Sequence, residues 1–297
     1  MAKYSEEQLS GWTKPPSNSE QTKLENSERM VREAINSDEK LKKKSTETFG
    51  QGSYANNTNV RLNSDIDINV RYTGGYFFDL PSDVTEEDVN IAHIGSSDYS
   101  YSEFKDDVET ALVNKFGRSE VVRDDKCITV KANTNRIETD VVPTWDFRRY
   151  SKDGKYVLGA KFWSDKGKPT VNYPKHHIEN GLNKNSNTYR RFKRLTRLHR
   201  KLRYKMIDDG ESVSDNITSF LLECLVWNVP NKIINDNDSW TDRLKQSIVY
   251  IYEQTKDEKT CKKWGEVSEL LYLFAERKWT YKDVNAYMVL LWNHLEY

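Results

Sequence analysis

The feature that most constrains the fold is a run of strict polar–apolar alternation, Asp65-Ile66-Asp67-Ile68-Asn69-Val70. Side chains that alternate with a period of two point to opposite faces of a β-strand. Asp65 and Asp67 therefore share one face, and the aliphatic residues share the other, which needs a core to cover it. Neighbouring carboxylates repel each other unless a cation lies between them, and hard oxygen ligands suit Mg²⁺. The run predicts a half-buried strand with either a metal site or two solvated aspartates on its polar face.

A glycine–serine turn precedes this strand. Gly52 and Ser53 lie in a turn-prone segment, where backbone N–H groups and a hydroxyl can hold phosphate oxygens. Together with the acidic strand, this turn favours a nucleotidyltransferase. Residues 50–55 also match the GxGxxG/A pattern of dinucleotide-binding proteins, but no long apolar strand precedes them and no apolar helix follows. The sequence contains no GxxxxGK[ST] motif, which excludes a P-loop.

A third acid lies in a later strand-like run. Residues 136–142 include Asp140, and Pro143 is expected to end the strand. Asp140 is too far from Asp67 in sequence to approach it except through sheet formation. If the two strands are neighbours, Asp140 becomes a third carboxylate of the same metal site. The alternative is an isolated acid on a strand.

Composition restricts the class of protein. The chain has 297 residues, no formal net charge and 36% hydrophobic residues, which is enough for two lobes and too apolar for disorder. Neutral charge argues against an enzyme that wraps long nucleic acid. The three cysteines form no CxxC pair and suit a reducing cytosol. With no apolar run of about 20 residues and no signal-peptide core, we expect a cytoplasmic protein without a membrane segment.

The order of the elements predicts an α+β fold. Capping boxes at Ser5 and Ser100 predict helices, Gly74-Gly75 predicts a loop, and residues 152–168 predict a hairpin or lid. After Pro174 the chain becomes helical, and amphipathic or apolar segments mark the helices: 187–204, 217–227, 239–254 and 281–294. We therefore expect a lobe with a mixed sheet over residues 1–175, with its first helices free to pack across both lobes. A helical lobe follows over residues 176–297.

The helix at residues 187–204 is rich in arginine and lysine. A basic helix can bind nucleic acid, but we expect most of these charges to lie on a solvated face. One or two of its lysines can instead meet a triphosphate.

Together, the Gly52-Ser53 turn and the acids Asp65, Asp67 and Asp140 resemble the polymerase-β-like nucleotidyltransferases. More narrowly, the chain resembles the cGAS/DncV-like nucleotidyltransferases (CD-NTases) of bacterial anti-phage CBASS systems, and within them the E clade (CdnE-like). The resemblance extends through most of the chain. Its more specific segments are these: residues 171–175 (VNYPK), 179–181 (ENG), 222–225 (LECL) and 228–230 (NVP).

The resemblance implies a polymerase-β-like catalytic lobe followed by a helical lobe that closes over the nucleotide. It also implies roles for individual residues. Asp65, Asp67 and Asp140 would be catalytic and would ligate two Mg²⁺ ions, with Mn²⁺ able to substitute. The nucleotide-binding residues would be Gln51, Gly52, Ser53, Asn172, Lys193 and Ser219. Of these, Asn172 would select a pyrimidine, since an amide can pair with the donor and acceptor of a uracil edge; a structural asparagine before Tyr173-Pro174 is the alternative.

The function expected on this basis is template-independent synthesis of a cyclic dinucleotide. The substrates would be ATP and UTP, and the product would contain UMP with AMP or with a second UMP. An effector protein of the defence system would bind the product, and the enzyme would be a monomer. Three alternatives stay open: a purine cyclic dinucleotide synthase, a toxin that adds a nucleotide to a protein or to tRNA, and an inactive nucleotide-binding protein.

Overall fold

The computed structural model describes residues 3–60, 65–91, 99–275 and 277–297. The chain forms two compact units. One contains Asn18–Tyr54 and Ser64–Pro174 and carries the β-sheet, and we call it the sheet unit. The other contains Met1–Ser17, Ala55–Asn63 and Lys175–Tyr297, and we call it the helical unit. A mixed sheet followed by helices confirms the predicted α+β class.

Seven strands within the described residues form one mixed sheet. They are β1 (Thr46–Gln51), β2 (Ile66–Asp79), β3 (Val121–Arg123), β4 (Ile128–Val130), β5 (Thr139–Tyr150), β6 (Tyr156–Trp163) and β7 (Pro169–Asn172). The order along the sheet is β1-β2-β5-β4-β3, and β6 and β7 extend it beside the second half of β5. β2 and β5 run parallel, and the other pairs are antiparallel.

The helices were mostly predictable from caps and periodicity. The described residues form α1 (Glu6–Trp12), α2 (Asn18–Ser37), α3 (Gly52–Ala55), α4 (Tyr101–Phe116), α5 (Pro174–Asn187), α6 (Arg191–Asp208), α7 (Ser219–Asn228), α8 (Asn231–Asn235), α9 (Trp240–Gln254), α10 (Glu258–Cys261) and α11 (Tyr281–His294). Both predicted capping boxes, at Ser5 and Ser100, are present. None of the described helices combines the length and apolarity that crossing a bilayer requires.

The alternation in β2 has the predicted consequence. Ile66, Ile68 and Val70 are fully buried in the core of the sheet unit, beside residues of α2 and α4. Each buried aliphatic side chain stabilises the fold by about 1.5–3 kcal/mol. This burial fixes the register, since a slip of one residue would place the aliphatic side chains on the polar face and the acids in the core.

Two predicted strand boundaries were wrong. Gly74 and Gly75 form no loop, because β2 continues through them with a bulge between Tyr72 and Tyr76. A bulge inserts extra residues without ending the strand. Pro143 does not end β5, which continues to Tyr150. Pro143 lies between Val141, the last β5 residue paired with β4, and Trp145, the first paired with β6, so its missing N–H interrupts neither ladder.

Residues 152–168 form part of the sheet. A turn closed by the hydrogen bond from Ser151 N to Lys155 O, 2.8 Å, joins β5 to β6, and a second turn leads to β7. Of the two predicted forms, a hairpin or a lid, the structure contains the hairpin. β1 was not predicted as a strand, although it provides the antiparallel neighbour of β2.

The basic helix α6 does not have the solvated face that we expected. Lys193, Arg197 and Arg200 are 6%, 5% and 5% exposed. The Arg197 guanidinium donates to the backbone oxygens of Thr13, at 2.7 Å, and Asn57. Arg200 Nη1 donates to Thr58 Oγ1 at 3.2 Å. Arg197 and Arg200 can be buried because they bind backbone and hydroxyl oxygens within the helical unit, which composition alone does not reveal.

Candidate active site

The sheet register places three of the predicted site residues in one row. Gln51 of β1 is the partner of Asp67 of β2, and Asp67 is in turn the partner of Asp140 of β5. Side chains of directly paired residues lie on the same face of a sheet, and adjacent strands are about 4.8 Å apart. Thr129 of β4 extends the row on the far side of Asp140. The two strands are therefore neighbours, which is the condition under which Asp140 can share a site with Asp67.

Gly52 brings the backbone against the Asp67 carboxylate. Its φ is +61°, and a Cβ at this position would lie 2.2 Å from Asp67 Oδ2. Only glycine can combine this left-handed conformation with so close an approach. Gly52 also begins the short helix α3, which contains Ser53. The turn therefore holds the first residues of α3 next to the acid row.

Asp140 is oriented by a hydroxyl. Thr129 Oγ1 donates to Asp140 Oδ1 at 2.6 Å, and the same hydroxyl lies 2.9 Å from Asp124 Oδ2. Burial raises the pKa of the nearby Cys127 thiol to about 12, with the Asp140 charge as the next cause. The thiol is therefore neutral at physiological pH.

The residues of this row fit a divalent metal. Among the described residues, no group of three or more His, Cys, Asp or Glu side chains already stands at metal-binding distances. The register nevertheless fixes two carboxylates side by side, and Asp65 precedes β2 with the spacing that places it on the same face. Carboxylate oxygens are the ligands that Mg²⁺ prefers. The donor set is thus chemically suited to a hard cation.

Asn172 lies on the same face of the sheet as the acids. It pairs with Ala160 of β6, and Ala160 pairs with Asp146 of β5. Asp146 follows Asp140 by an even number of residues, so the strand period puts both on one face. Asn172 is half-buried at the end of β7, directly before Tyr173 and α5.

Two further predicted residues belong to the helical unit. Lys193 lies in the first turn of α6, and Asn185 Oδ1 accepts from its backbone N–H at 3.2 Å. Burial lowers the pKa of the Lys193 ammonium; the charge on Glu223 opposes this effect and Arg197 adds to it. Ser219 is the first residue of α7, and its Oγ lies 3.4 Å from the Tyr204 hydroxyl. Their binding to a triphosphate stays a prediction.

Sequence reasoning missed a buried polar cluster in the helical unit. Glu223 is 3% exposed; its Oε2 accepts from Thr58 Oγ1 at 2.8 Å and its Oε1 lies 3.1 Å from His177 Nε2. Burial alone would raise the Glu223 pKa, but His177, Arg200 and Thr58 together hold it below its usual value. Thr58 lies three residues after the end of α3, so its hydrogen bond to Glu223 fixes the segment that follows α3. The apolar pattern predicts the helix at 217–227 but gives no sign that Glu223 within it is buried and paired.

Two family models match the chain. The model of the Second Messenger Oligonucleotide or Dinucleotide Synthetase domain matches residues 14–158. The model of the cGAS/DncV-like nucleotidyltransferase C-terminal helical domain matches residues 179–296.

Similar proteins cover the whole length. A cyclic dipyrimidine nucleotide synthase CdnE of Cecembia lonarensis is 74% identical over 100% of both chains. A cyclic dipurine nucleotide synthase of Elizabethkingia meningoseptica is 40% identical over 99% of both. The structure of the Rhodothermus marinus CdnE c-UMP-AMP synthase with Apcpp and Upnpp has a TM-score of 0.84 and 28% identity, over 98% of this chain and 97% of that one. On these grounds, together with the acid row beside the Gly52 turn, the chain belongs to the cGAS/DncV-like nucleotidyltransferases.

Proposed function

We propose that this enzyme joins two nucleoside triphosphates into a cyclic dinucleotide that contains at least one pyrimidine. The observation that carries the proposal is the row of Gln51, Asp67 and Asp140 on one sheet face, next to the Gly52 turn. This arrangement combines acid ligands for metal with backbone and amide donors for phosphate. The 74% identical relative named as a cyclic dipyrimidine nucleotide synthase supports the choice of product class.

Asp65, Asp67 and Asp140 would together hold two Mg²⁺ ions. Metal bound there would neutralise triphosphate charge and lower the pKa of the attacking ribose hydroxyl. The protein itself has to place that hydroxyl in line with the α-phosphorus, which contributes a large part of the rate enhancement. Asp140, whose Oδ1 accepts from Thr129, would help hold the metal beside that hydroxyl and could accept its proton.

The remaining predicted residues would bind the triphosphate. Gln51 and the turn at Gly52 and Ser53 offer amide, backbone N–H and hydroxyl donors. Lys193 and Ser219 would add an ammonium and a second hydroxyl. As the new phosphodiester forms, the bond from the α-phosphorus to the bridging oxygen breaks and pyrophosphate leaves. A second round in the same pocket closes the ring.

Asn172 would select the base. Held in one orientation, its amide can donate to a uracil carbonyl and accept from the uracil N3–H, whereas an adenine edge presents the opposite pattern and would require the amide to be reversed. The favoured products are therefore cyclic UMP-AMP and cyclic di-UMP, made from UTP with or without ATP. The 40% identical relative named as a cyclic dipurine synthase shows that such proteins differ in base preference. If Asn172→Ser lowers the use of UTP relative to ATP and GTP at unchanged total turnover, the amide reads the base; an unchanged preference contradicts this role.

The central experiment is incubation of the purified enzyme with each NTP alone and with all four, followed by phosphatase and mass spectrometry. We expect a phosphatase-resistant cyclic dinucleotide that contains uridine and requires Mg²⁺ or Mn²⁺. Asp67→Asn and Asp140→Asn should give no product while melting like wild type. Labelled nucleotide found on protein or tRNA instead of in a cyclic product would point to a toxin, and wild-type turnover by Asp67→Asn would refute the mechanism.

We further propose that the product is a signal in defence against bacteriophage, bound by a separate effector protein. This proposal follows from the resemblance to the CBASS nucleotidyltransferases. Cells that carry the enzyme and its neighbouring genes should resist phage, and Asp67→Asn should remove the resistance. Equal plaque counts for the two strains would contradict it. Size-exclusion chromatography with light scattering tests the expected monomer.

A further inference from the structure

Asn69 lies next to the row formed by Gln51, Asp67 and Asp140. It follows Asp67 by two residues on β2, on the same sheet face, and its side chain is 1% exposed. Asn69 Nδ2 donates to Gln51 Oε1 at 3.1 Å. Asn69 Oδ1 in turn accepts from Thr144 Oγ1 at 2.8 Å, and Thr144 is also 1% exposed. Thr144, Asn69 and Gln51 thus form a short chain of hydrogen bonds across β5, β2 and β1.

The two hydrogen bonds run in one direction, from Thr144 through Asn69 to Gln51. The single hydroxyl proton of Thr144 is donated to the Asn69 oxygen, which leaves the Asn69 N–H₂ group to face Gln51. The side-chain oxygen of Gln51 therefore accepts the hydrogen bond from Asn69, and the N–H₂ group of Gln51 is the part of its amide that can donate to a ligand. Reversing the Asn69 amide alone would place two acceptor oxygens, Asn69 Oδ1 and Gln51 Oε1, against each other. An unmade hydrogen bond of a buried group costs about 1–3 kcal/mol, so neither the Asn69 amide nor the Gln51 amide reverses alone, and the orientation of one is coupled to that of the other.

We propose that Asn69 is a positioning residue, which orients the Gln51 amide so that its N–H₂ group faces the phosphate oxygens of the donor nucleotide. The proposal rests on the function proposed above, in which Gln51 binds the triphosphate. A phosphate oxygen only accepts hydrogen bonds, so a Gln51 amide turned the other way would present its oxygen to an anion. Thr144 has the same role one step further from the ligand.

A double-mutant cycle tests this coupling. Asn69→Leu keeps the approximate volume and removes both hydrogen bonds, Thr144→Val removes the donor, and Gln51→Ala removes the oriented group. We expect each single change to raise the KM for UTP by about tenfold or more with kcat within about twofold, because each removes or misorients one hydrogen bond to a charged group. In the Gln51→Ala background, Asn69→Leu and Thr144→Val should raise KM no further.

Thr48→Val is the matched control, because Thr48 is a buried threonine of β1 that pairs with Val70 and so lies on the core face. It should leave KM unchanged. Additive effects of Asn69→Leu and Gln51→Ala would show that Asn69 acts independently and would overturn the proposal, as would an unchanged KM in Thr144→Val. Thr144→Val decides the matter if Asn69→Leu does not fold.

The inference and the proposed function fail in different ways. If Asp67→Asn abolishes product formation and Gln51→Ala raises KM, the proposed function stands whatever Asn69 does. If Gln51→Ala leaves KM at the wild-type value, Gln51 does not bind the triphosphate, and the positioning role falls with it.

Discussion

The change Gly52→Ala should reduce the activity of the enzyme much more than it reduces the stability of the fold. Gly52 has a φ of +61°, and an added Cβ would lie 2.2 Å from Asp67 Oδ2. Ordinary van der Waals contact begins at 3.4 Å, so the carboxylate or the turn must move by the difference, 3.4 minus 2.2, or about 1.2 Å. Asp67 cannot move freely, because it belongs to β2 between Ile66 and Ile68, which are fully buried.

Two costs follow from this displacement. A non-glycine residue in the left-handed region costs about 1–2 kcal/mol of folding stability. A misplacement of about 1 Å in a catalytic group can cost about 100-fold in rate. We therefore expect kcat/KM for cyclic dinucleotide formation to fall about 100-fold, with an unfolding free energy only about 1–2 kcal/mol lower.

Gly167→Ala provides the matched control. Gly167 has a φ of +78° in the turn before β7, and nothing lies within 4 Å of an added Cβ. It should lose similar stability in urea unfolding and keep its turnover. If Gly52→Ala retains kcat/KM within about threefold of Gly167→Ala, the close approach to Asp67 has no catalytic importance, and the reasoning from the 2.2 Å contact is wrong.

Three other outcomes follow from single contacts. Thr129→Val, which removes the donor to Asp140, should raise the Mg²⁺ concentration for half-maximal rate about tenfold, and Thr129→Ser should not. Burial lowers the pKa of His199 to about 4, so as the pH falls the unfolded chain binds a proton at this imidazole before the folded protein does. The free energy of unfolding should therefore fall by up to about 3 kcal/mol between pH 6.5 and pH 4 in urea titrations. The change His199→Gln should remove this pH dependence. Burial also lowers the pKa of Lys193, so kcat/KM should decline with rising pH earlier than an exposed lysine would allow. Lys193→Arg should abolish that decline, and an unchanged pH profile would contradict the role of the ammonium.

Local signals predicted local structure well. Ser5 with Gln8 and Ser100 with Glu103 both form capping boxes, because such a box is completed within one helical turn. The helix predicted at 281–294 has those same bounds in α11. In each of these cases the residues that decide the structure lie within a few positions of one another.

Predictions failed where a residue depends on partners that are distant in sequence. Pro143 reads as the end of a strand, yet it is tolerated where β5 changes partner from β4 to β6. Arg197 reads as a solvated charge, yet it is buried against the backbone of residues 13 and 57. Strand pairing and the burial of a cation depend on these distant partners, and the hydrophobic periodicity of the sequence does not indicate which residues they are.

By itself, the sequence indicated the kind of chemistry: a glycine–serine turn, an alternating acidic strand and a third acid. Only the tertiary structure decided that Asp140 lies beside Asp67. The two residues belong to parallel strands, β2 and β5, and parallel strands are joined by a long crossover connection, so no short-range pattern in the sequence indicates that they pair. It likewise decided that Thr144 and Asn69 stand behind Gln51. The sequence specifies which atoms are available, whereas the register of the sheet, fixed by the burial of its aliphatic face, specifies which of them meet.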